Sequence, residues 1–292
     1  MCCVRVMVVV EELFKALVAA YFLTAGTLFV FQRKLQYLPS EEQPPHPRRF
    51  SKHFESVQEI CILTDDGIKL HGWHWPATEG GKHSNVSVLQ LHGNAGNREH
   101  RLRWAYTLRY RLGCSITLLD YRGYGGNSGY PSEYGLILDA LAGLRWICSA
   151  DATRDMKLVI HLESIGSAAG INALGKLEPK RRLLISGIVI EGGLSSCIEV
   201  AQERLRVFPL SMLMLDKWSE TCSAAAAIPL QTHILSLHGV RDEIVPMKYG
   251  LKLFDAIACE KKKFVQFSGG GHNDLLDQPS YIQNLDVFYS QL

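Results

Sequence analysis

The sequence has no C-x-x-C pair, and none of its eight cysteines stands at a zinc-like spacing from histidine. That removes the structural-zinc and dithiol-redox readings. It has no stripe of lysine and arginine interleaved with aromatics, and its net charge is only +2, so nothing points to nucleic acid as a partner. The short basic run Lys261-Lys262-Lys263 reads as a solvated turn before a strand. No internal repeat is present, and the glycine loop at 123–129 lacks the G-x-G-x-x-G spacing that opens a helix on a dinucleotide. What is left is an ordinary globular chain. Its 292 residues, 47% hydrophobic and 21% charged, suffice for one large α/β domain or two small ones. Most of the cysteines (Cys2, Cys3, Cys61, Cys114, Cys148, Cys197, Cys222, Cys259) fall in apolar segments, as reduced buried thiols do. No metal or cofactor is implied.

The first feature present is apolar. Residues 16–31 carry no charge, and with Leu13 and Phe14 the stretch approaches the roughly 20 residues that cross a bilayer, Lys15 snorkelling near one end. A single-pass signal-anchor helix within residues 1–38 is expected, with the lipid bilayer as its partner. A cleaved signal peptide fits less well: the run exceeds the usual apolar core of roughly 7–15 residues, and Phe29, Phe31 and Gln32-Arg33-Lys34 make no small-residue cleavage site. A buried amphipathic helix is the remaining alternative. Lys and Arg are commoner after the span (Arg33, Lys34, Arg48, Arg49) than before it (Arg5, Lys15), which favours a cytosolic main domain. The sequon Asn85-Val86-Ser87 matters only in a lumenal one. The side of the membrane stays open. Cys2 and Cys3 are candidates for acylation. Residues 39–50, polar and proline-rich, form an expected tether or collar.

From residue 51 the pattern is strand, loop, helix. Segments 57–63 and 68–75 alternate as strands around Asp66-Gly67, a hairpin signal. Strands at 86–91, 115–119, 157–163, 184–190, 233–237 and 263–267 follow, with helices at 98–111, after Ser164, at 132–149 and at 275–291. The expected fold is α/β: a doubly wound, mostly parallel sheet with an antiparallel start, helices on both faces, spanning residues 51–292. Residues 193–228 interrupt the alternation. Their apolar stretch 207–215 reads either as a small cap over the carboxyl ends of the strands or as a core helix.

At 157–170 an apolar strand turns abruptly, at Ser164, into small helix-forming residues. A serine on such a strained corner exposes its hydroxyl beside a helix N-terminus, the geometry of a nucleophile elbow. The G-x-S-x-G pattern is half met: Gly166 follows Ser164, but Leu162 precedes it. Ser167 has Ile165 and Ala169 in the flanking positions. A buried strand feeding an Ala-rich core helix is the competing reading until the rest of the chain is considered. Two later strands end at His238-Gly239-Val240-Arg241-Asp242 and at Gly271-His272-Asn273-Asp274, giving the order Ser164, Asp242, His272 of an α/β-hydrolase triad. Two N–H donors for an oxyanion are expected from Ile165, just after the serine, and from Asn94 in the loop after the third strand. Asp139 and the Glu191-Gly192-Gly193 turn are read as structural. A branched Leu162 in place of glycine is expected to open the bend and displace Ser164 or the Ile165 N–H, giving weak turnover that Leu162→Gly would raise.

The motifs Leu91-His92-Gly93-Asn94-Ala95-Gly96-Asn97 with His100-Arg101-Leu102, then Leu119-Asp120-Tyr121-Arg122-Gly123-Tyr124-Gly125, then Gly271-His272-Asn273-Asp274, resemble those of the Bem46-like α/β hydrolases. The similarity starts near Phe31, where Phe31-Gln32-Arg33-Lys34-Leu35-Gln36-Tyr37-Leu38-Pro39 resembles the segment after the family's membrane anchor. The resemblance implies a single-pass membrane serine hydrolase with its triad on Ser164, Asp242 and His272. The family's Gly-Arg-Ser-Leu-Gly-Gly stands here as Leu162-Glu163-Ser164-Ile165-Gly166-Ser167, which departs from it at Leu162 and, with an acid directly beside the serine, at Glu163. The expected activity is cleavage of carboxylic esters or thioesters with an apolar acyl part under the cap. The alternatives are an inactive scaffold of the same fold and a lipid-binding protein.

Overall fold

The computed structural model describes residues 2–292, with side chains from Arg5 onward; the acylation expected at Cys2 and Cys3 lies outside the residues whose side chains are described. One sheet of eight strands organises the chain: β1 (Gln58–Leu63), β2 (Lys69–Trp75), β3 (Val86–Leu91), β4 (Ser115–Leu119), β5 (Lys157–Glu163), β6 (Ile185–Glu191), β7 (His233–Gly239) and β8 (Lys262–Phe267), in the order β8-β7-β6-β5-β3-β4-β2-β1. β2 runs antiparallel to β1 and β4, and the remaining pairs are parallel. The central strands are nearly continuous apolar runs because both of their faces are covered. Leu89, Leu91, Ile160, Leu162 and Ile188 share one core with α3 (Glu133–Ile147), α4 (Ile165–Lys176) and Leu253 of α6 (Met247–Ala256). Val86, Val88, Val159, Val189 and Leu235 share the other with α2 (Leu102–Leu112) and α7 (Tyr281–Ser290).

Two helices differ from expectation. The last one starts late: Leu275–Asp277 is a single 3-10 turn, and Gln278 is extended before Pro279, which disfavours helical backbone at its predecessor. The α6 helix was not expected from the sequence. Above the carboxyl ends of the strands, residues 193–228 contain α5 (Cys197–Arg204) and two single-turn helices, Leu210–Leu213 and Thr221–Ala224. Trp218 is fully buried beneath them and donates its main-chain N–H to Glu133 at 2.8 Å.

The expected anchor is the helix α1 (Cys2–Gln36), but no helix among the described residues is long and apolar enough to cross a membrane. Glu11, Glu12 and Lys15, paired with one another, bound the apolar run on its N-terminal side. The C-terminal half is docked on the cap. Tyr21 stacks on Phe208 with ring centroids 5.1 Å apart and donates to the Val207 carbonyl; Gln32 bonds Leu213 and Leu215; Arg33 pairs with Asp216 at 2.8 Å. Residues 39–50 form a collar fixed to the domain. Leu38–Pro39 pairs in parallel with Ala95–Gly96, and the Ser40 and Glu41 carbonyls accept from Gly125 and Gly126.

Leu162 is fully buried in the core, and its space comes from Gly170, further along α4: a Cβ built there would land on the Leu162 side chain. The leucine on the strand fits because the helix carries a glycine opposite it. Leu162→Ala should therefore cost about 2–5 kcal/mol and Gly170→Ala about 1–3 kcal/mol by overpacking. The double variant should be less destabilised than the sum, since the methyl introduced at position 170 then fills part of the space left by Leu162. Urea midpoints of the four proteins test this; additive effects would show that the two residues do not share one space.

Candidate active site

Strand register brings the loops together. Leu91 pairs with Leu162, so the loop after β3 leaves the sheet beside the turn after β5; Glu163 pairs with Glu191, and Glu191 with Leu237. Ser164 sits on the turn between β5 and α4 with φ 53 and ψ −120, a region that costs a non-glycine residue of order 1–3 kcal/mol. Its N–H donates to the Glu191 carbonyl at 2.8 Å, and its own carbonyl accepts the Ser167 N–H and hydroxyl at 2.9 and 2.6 Å. Gly166 is obligatory, because a Cβ there would land on the Leu91 carbonyl oxygen.

The structure brings Ser164, Asp242 and His272 together. Ser164 Oγ is 2.9 Å from His272 Nε2, and His272 Nδ1 is 2.6 Å from Asp242 Oδ2. The other oxygen of Asp242 accepts the Ile244 and Val245 N–H groups at 2.9 and 2.7 Å. Burial opposes ionisation of Asp242, yet His238, His272 and these main-chain donors hold its carboxyl well below the usual carboxylate range. His238 has no assigned role in the sequence reading. Its Nε2 lies 2.9 Å from the Val245 carbonyl, which only accepts, so this nitrogen carries the proton; it also lies 3.3 Å from Asp242 Oδ2. Asp242 thus has a histidine on each side. The pattern His238-Gly239-x-x-Asp242 ending a strand was the available signal.

Ile165 opens α4, and its N–H is one of those a helix start leaves without an intrahelical partner. Asn94 lines the same cavity. Its carbonyl accepts from Leu38 N–H at 2.9 Å and Tyr124 hydroxyl at 2.8 Å, and its side-chain amide donates to the Gln36 carbonyl at 2.9 Å. The side-chain amide and the carbonyl are therefore both engaged. The collar fixes this loop from one side and Arg101 fixes it from the other. Arg101 donates to the Ala95 carbonyl at 2.6 Å and grips Glu163 with two bonds, at 2.7 and 3.1 Å, joined there by Gln90 at 3.3 Å. Burial works to raise the Glu163 pKa, but the Arg101 guanidinium overrides it and holds the carboxyl below its ordinary value. Sequence reading treated Glu163 as an oddity beside the nucleophile because nothing local shows its partner, 62 residues earlier.

The expected displacement of Ser164 by Leu162 does not occur: the serine-histidine distance is an ordinary hydrogen bond, and Leu162 points into the core against Gly170. Ser167 is fully buried, donating to the Ser164 carbonyl and accepting from Leu194 N–H, which excludes it as a nucleophile. Asp139 is structural as expected, its carboxylate accepting from the Arg122 guanidinium and N–H. Ser87 of the sequon is buried on β3 against Ser115. Ser164 lies at the floor of an apolar cavity of about 300 Å³, walled by α1, α5 and the cap. Cys197 also lines it, but burial pushes that thiol up, so it is not a competing nucleophile near neutral pH.

No family model matches the chain. Among known proteins it is similar to the uncharacterized protein Rv2307c of Mycobacterium tuberculosis, 34% identical over 266 residues covering 89% of each chain. It is 30% identical over 270 residues to the alpha/beta hydrolase domain-containing protein WAV2 of Arabidopsis thaliana, covering 85% of this chain and 83% of that one. To protein bem46 of Schizosaccharomyces pombe it is 29% identical over 286 residues, covering 94% and 91%. The esterase Pf2001 of Pyrococcus furiosus shares the fold, with a TM-score of 0.65 at 17% identity over 88% of this chain and 98% of that one. Sequence kinship over most of the chain and the eight-stranded sheet agree: the chain belongs to the Bem46-like family of α/β hydrolases.

Proposed function

We propose that the chain is a serine hydrolase that cleaves carboxylic esters or thioesters through an acyl-enzyme on Ser164, held at a lipid surface by α1. The observation that carries this reading is the line of hydrogen bonds from Asp242 through His272 to Ser164, at the floor of an apolar cavity. Ser164 Oγ attacks the carbonyl carbon while its proton passes to His272 Nε2. Asp242 keeps the ring oriented and stabilises its cation. The carbonyl oxygen, now an oxyanion, takes the Ile165 and Asn94 main-chain N–H groups. Collapse breaks the bond to the leaving oxygen or sulfur, which receives the proton from His272. Water, deprotonated by the same histidine, then attacks the acyl carbon, releases the acid and restores Ser164. The inactive-scaffold reading drew on the elbow, Leu162 and Glu163 beside the serine; Leu162 packs against Gly170, and Glu163 is paired with Arg101.

The lipid-surface part of the reading rests on the side of α1 that faces away from the cap. Phe22 and Leu23 are exposed there, as are Val207 and Met212 of the cap beside it. An apolar surface of this kind binds at a bilayer interface without spanning it. The full chain should float with phosphatidylcholine vesicles, and Phe22→Glu with Leu23→Glu should release most of it; flotation unchanged by both charges would place the contact elsewhere.

Ser164→Ala should abolish labelling by a fluorophosphonate probe and lower ester kcat/KM by about 10³-fold or more, whereas Ser167→Ala should still label. Labelling that survives Ser164→Ala overturns the assignment. The Arg101–Glu163 pair spans the two oxyanion donors, so Glu163→Gln should lower kcat by roughly 10- to 100-fold with little change in KM, the scale of a misplacement near 1 Å. The charge-reversed pair Arg101→Glu with Glu163→Arg should recover part of that loss. Unaltered kcat in Glu163→Gln would show that the pair only stabilises the fold.

A further inference from the structure

The cavity has a wall that the catalytic domain does not provide. One stripe of α1, Tyr21, Ala25, Leu28, Gln32 and Gln36, is turned toward the cap at spacings of four, three, four and four residues, the pattern of one helix face. The side chains on either side, Leu23, Val30 and Phe31 among them, are exposed. Between positions 28 and 36 this face lines the cavity over about 12 Å of helix axis, opposite α5 and the apolar cap. The polar group midway along it is engaged: the Gln32 amide donates to the Leu213 carbonyl and accepts from Leu215 N–H. A ligand running along α1 therefore meets hydrocarbon. The main-chain donors proposed for a carbonyl, on Ile165 and Asn94, are at the Ser164 end. The cavity is also small, about 300 Å³, at the low end for drug-sized ligands, and elongated between helices. Phe29 and Leu35, half to largely exposed at its rim, leave a way out onto the apolar surface.

We propose that α1 is one wall of an acyl channel, and that the substrate carries a single long unbranched acyl chain lying between α1 and the cap, with its ester or thioester carbonyl at Ser164. This rests on the hydrolase reading above for the reaction, but not for the channel. Along the wall the one polar atom without a partner among the described residues is Gln36 Oε1, at the Ser164 end, so a bulky polar or branched acyl group finds nothing to match it further along. Leu28, facing inward at the end of the wall farthest from Gln36, sets how far a chain can extend, and Val30, facing outward, does not.

The test uses the full chain in detergent micelles and has two arms. In the first, kcat/KM is measured on 4-nitrophenyl butanoate, decanoate and hexadecanoate. Leu28→Trp should lower the hexadecanoate-to-butanoate ratio by about tenfold or more, the scale on which a hydrophobic pocket discriminates chain size, while Val30→Trp leaves the ratio unchanged. In the second, binding of the fluorescent fatty acid cis-parinarate is measured on Ser164→Ala, which needs no turnover. Ser164→Ala should bind it, and adding Leu28→Trp should raise Kd by about tenfold, whereas adding Val30→Trp should not. Binding that ignores Leu28→Trp in a folded protein, or fails altogether, overturns the channel even if the enzyme is active. Absence of fluorophosphonate labelling and of all ester turnover, with cis-parinarate binding still weakened by Leu28→Trp, overturns the hydrolase reading and leaves the channel standing.

Discussion

The site depends on one constrained residue. Ser164 is held at positive φ by hydrogen bonds at both of its main-chain groups, to Glu191 on the neighbouring strand and from Ser167 on the helix it opens. Backbone of this kind costs of order 1–3 kcal/mol, and it persists because the sheet and α4 meet there with no slack: Gly166 lies directly on the Leu91 carbonyl. From that bend the hydroxyl reaches His272 Nε2, and the next residue, Ile165, lines the cavity. Relaxing φ would move both together.

The second proposed oxyanion donor is held by a different means. The loop carrying Asn94 has little regular structure of its own, and its position comes from chain segments far away in sequence. The collar pairs with it on one side, and Arg101 ties it to Glu163 on the other. A buried ion pair contributes little net stability once desolvation is counted, whereas breaking one leaves an uncompensated charge. Its value here is geometric, since Glu163 adjoins the nucleophile and Ala95 adjoins Asn94. The collar has the further effect of making α1 continuous with the site, because Gln36, the last residue of the helix, holds the Asn94 side chain.

Most of the sheet was legible because its central strands are buried on both faces and leave unbroken apolar runs, and because the elbow, acid and histidine each close a strand. What the sequence hid were partnerships across distance. Leu162 looked like a defect because the G-x-S-x-G pattern counts residues along a strand, while the space in question is shared with Gly170 across a strand-helix contact. Glu163 looked misplaced because Arg101 is brought beside it only by the register of β3 and β5. His238 went unassigned because a histidine on a strand is ordinary until its neighbour is an aspartate four residues on with a second histidine. Helix α6 was missed at 247–256. The apolar run in α1 was plain to see, but its use was not, since periodicity gives the inward stripe without saying what it packs against.

That use alters what a domain boundary means in this chain. Residues 51–292 contain the sheet, the proposed triad and both cores apart from Tyr37, which is buried in one of them. The reaction site is not complete within them. One wall of the cavity and one fastening of the oxyanion loop come from residues 28–41, outside the sheet's own fold. A chain begun at Pro39 would keep the hydrogen-bond line from Asp242 to Ser164, because every group in it belongs to the sheet and its loops. It would lose the surface against which an acyl chain is aligned, and the Gln36 carbonyl that restrains Asn94. Folding and catalytic alignment therefore have different minimal lengths, and the difference is the segment whose apolar outer face is the proposed contact with lipid.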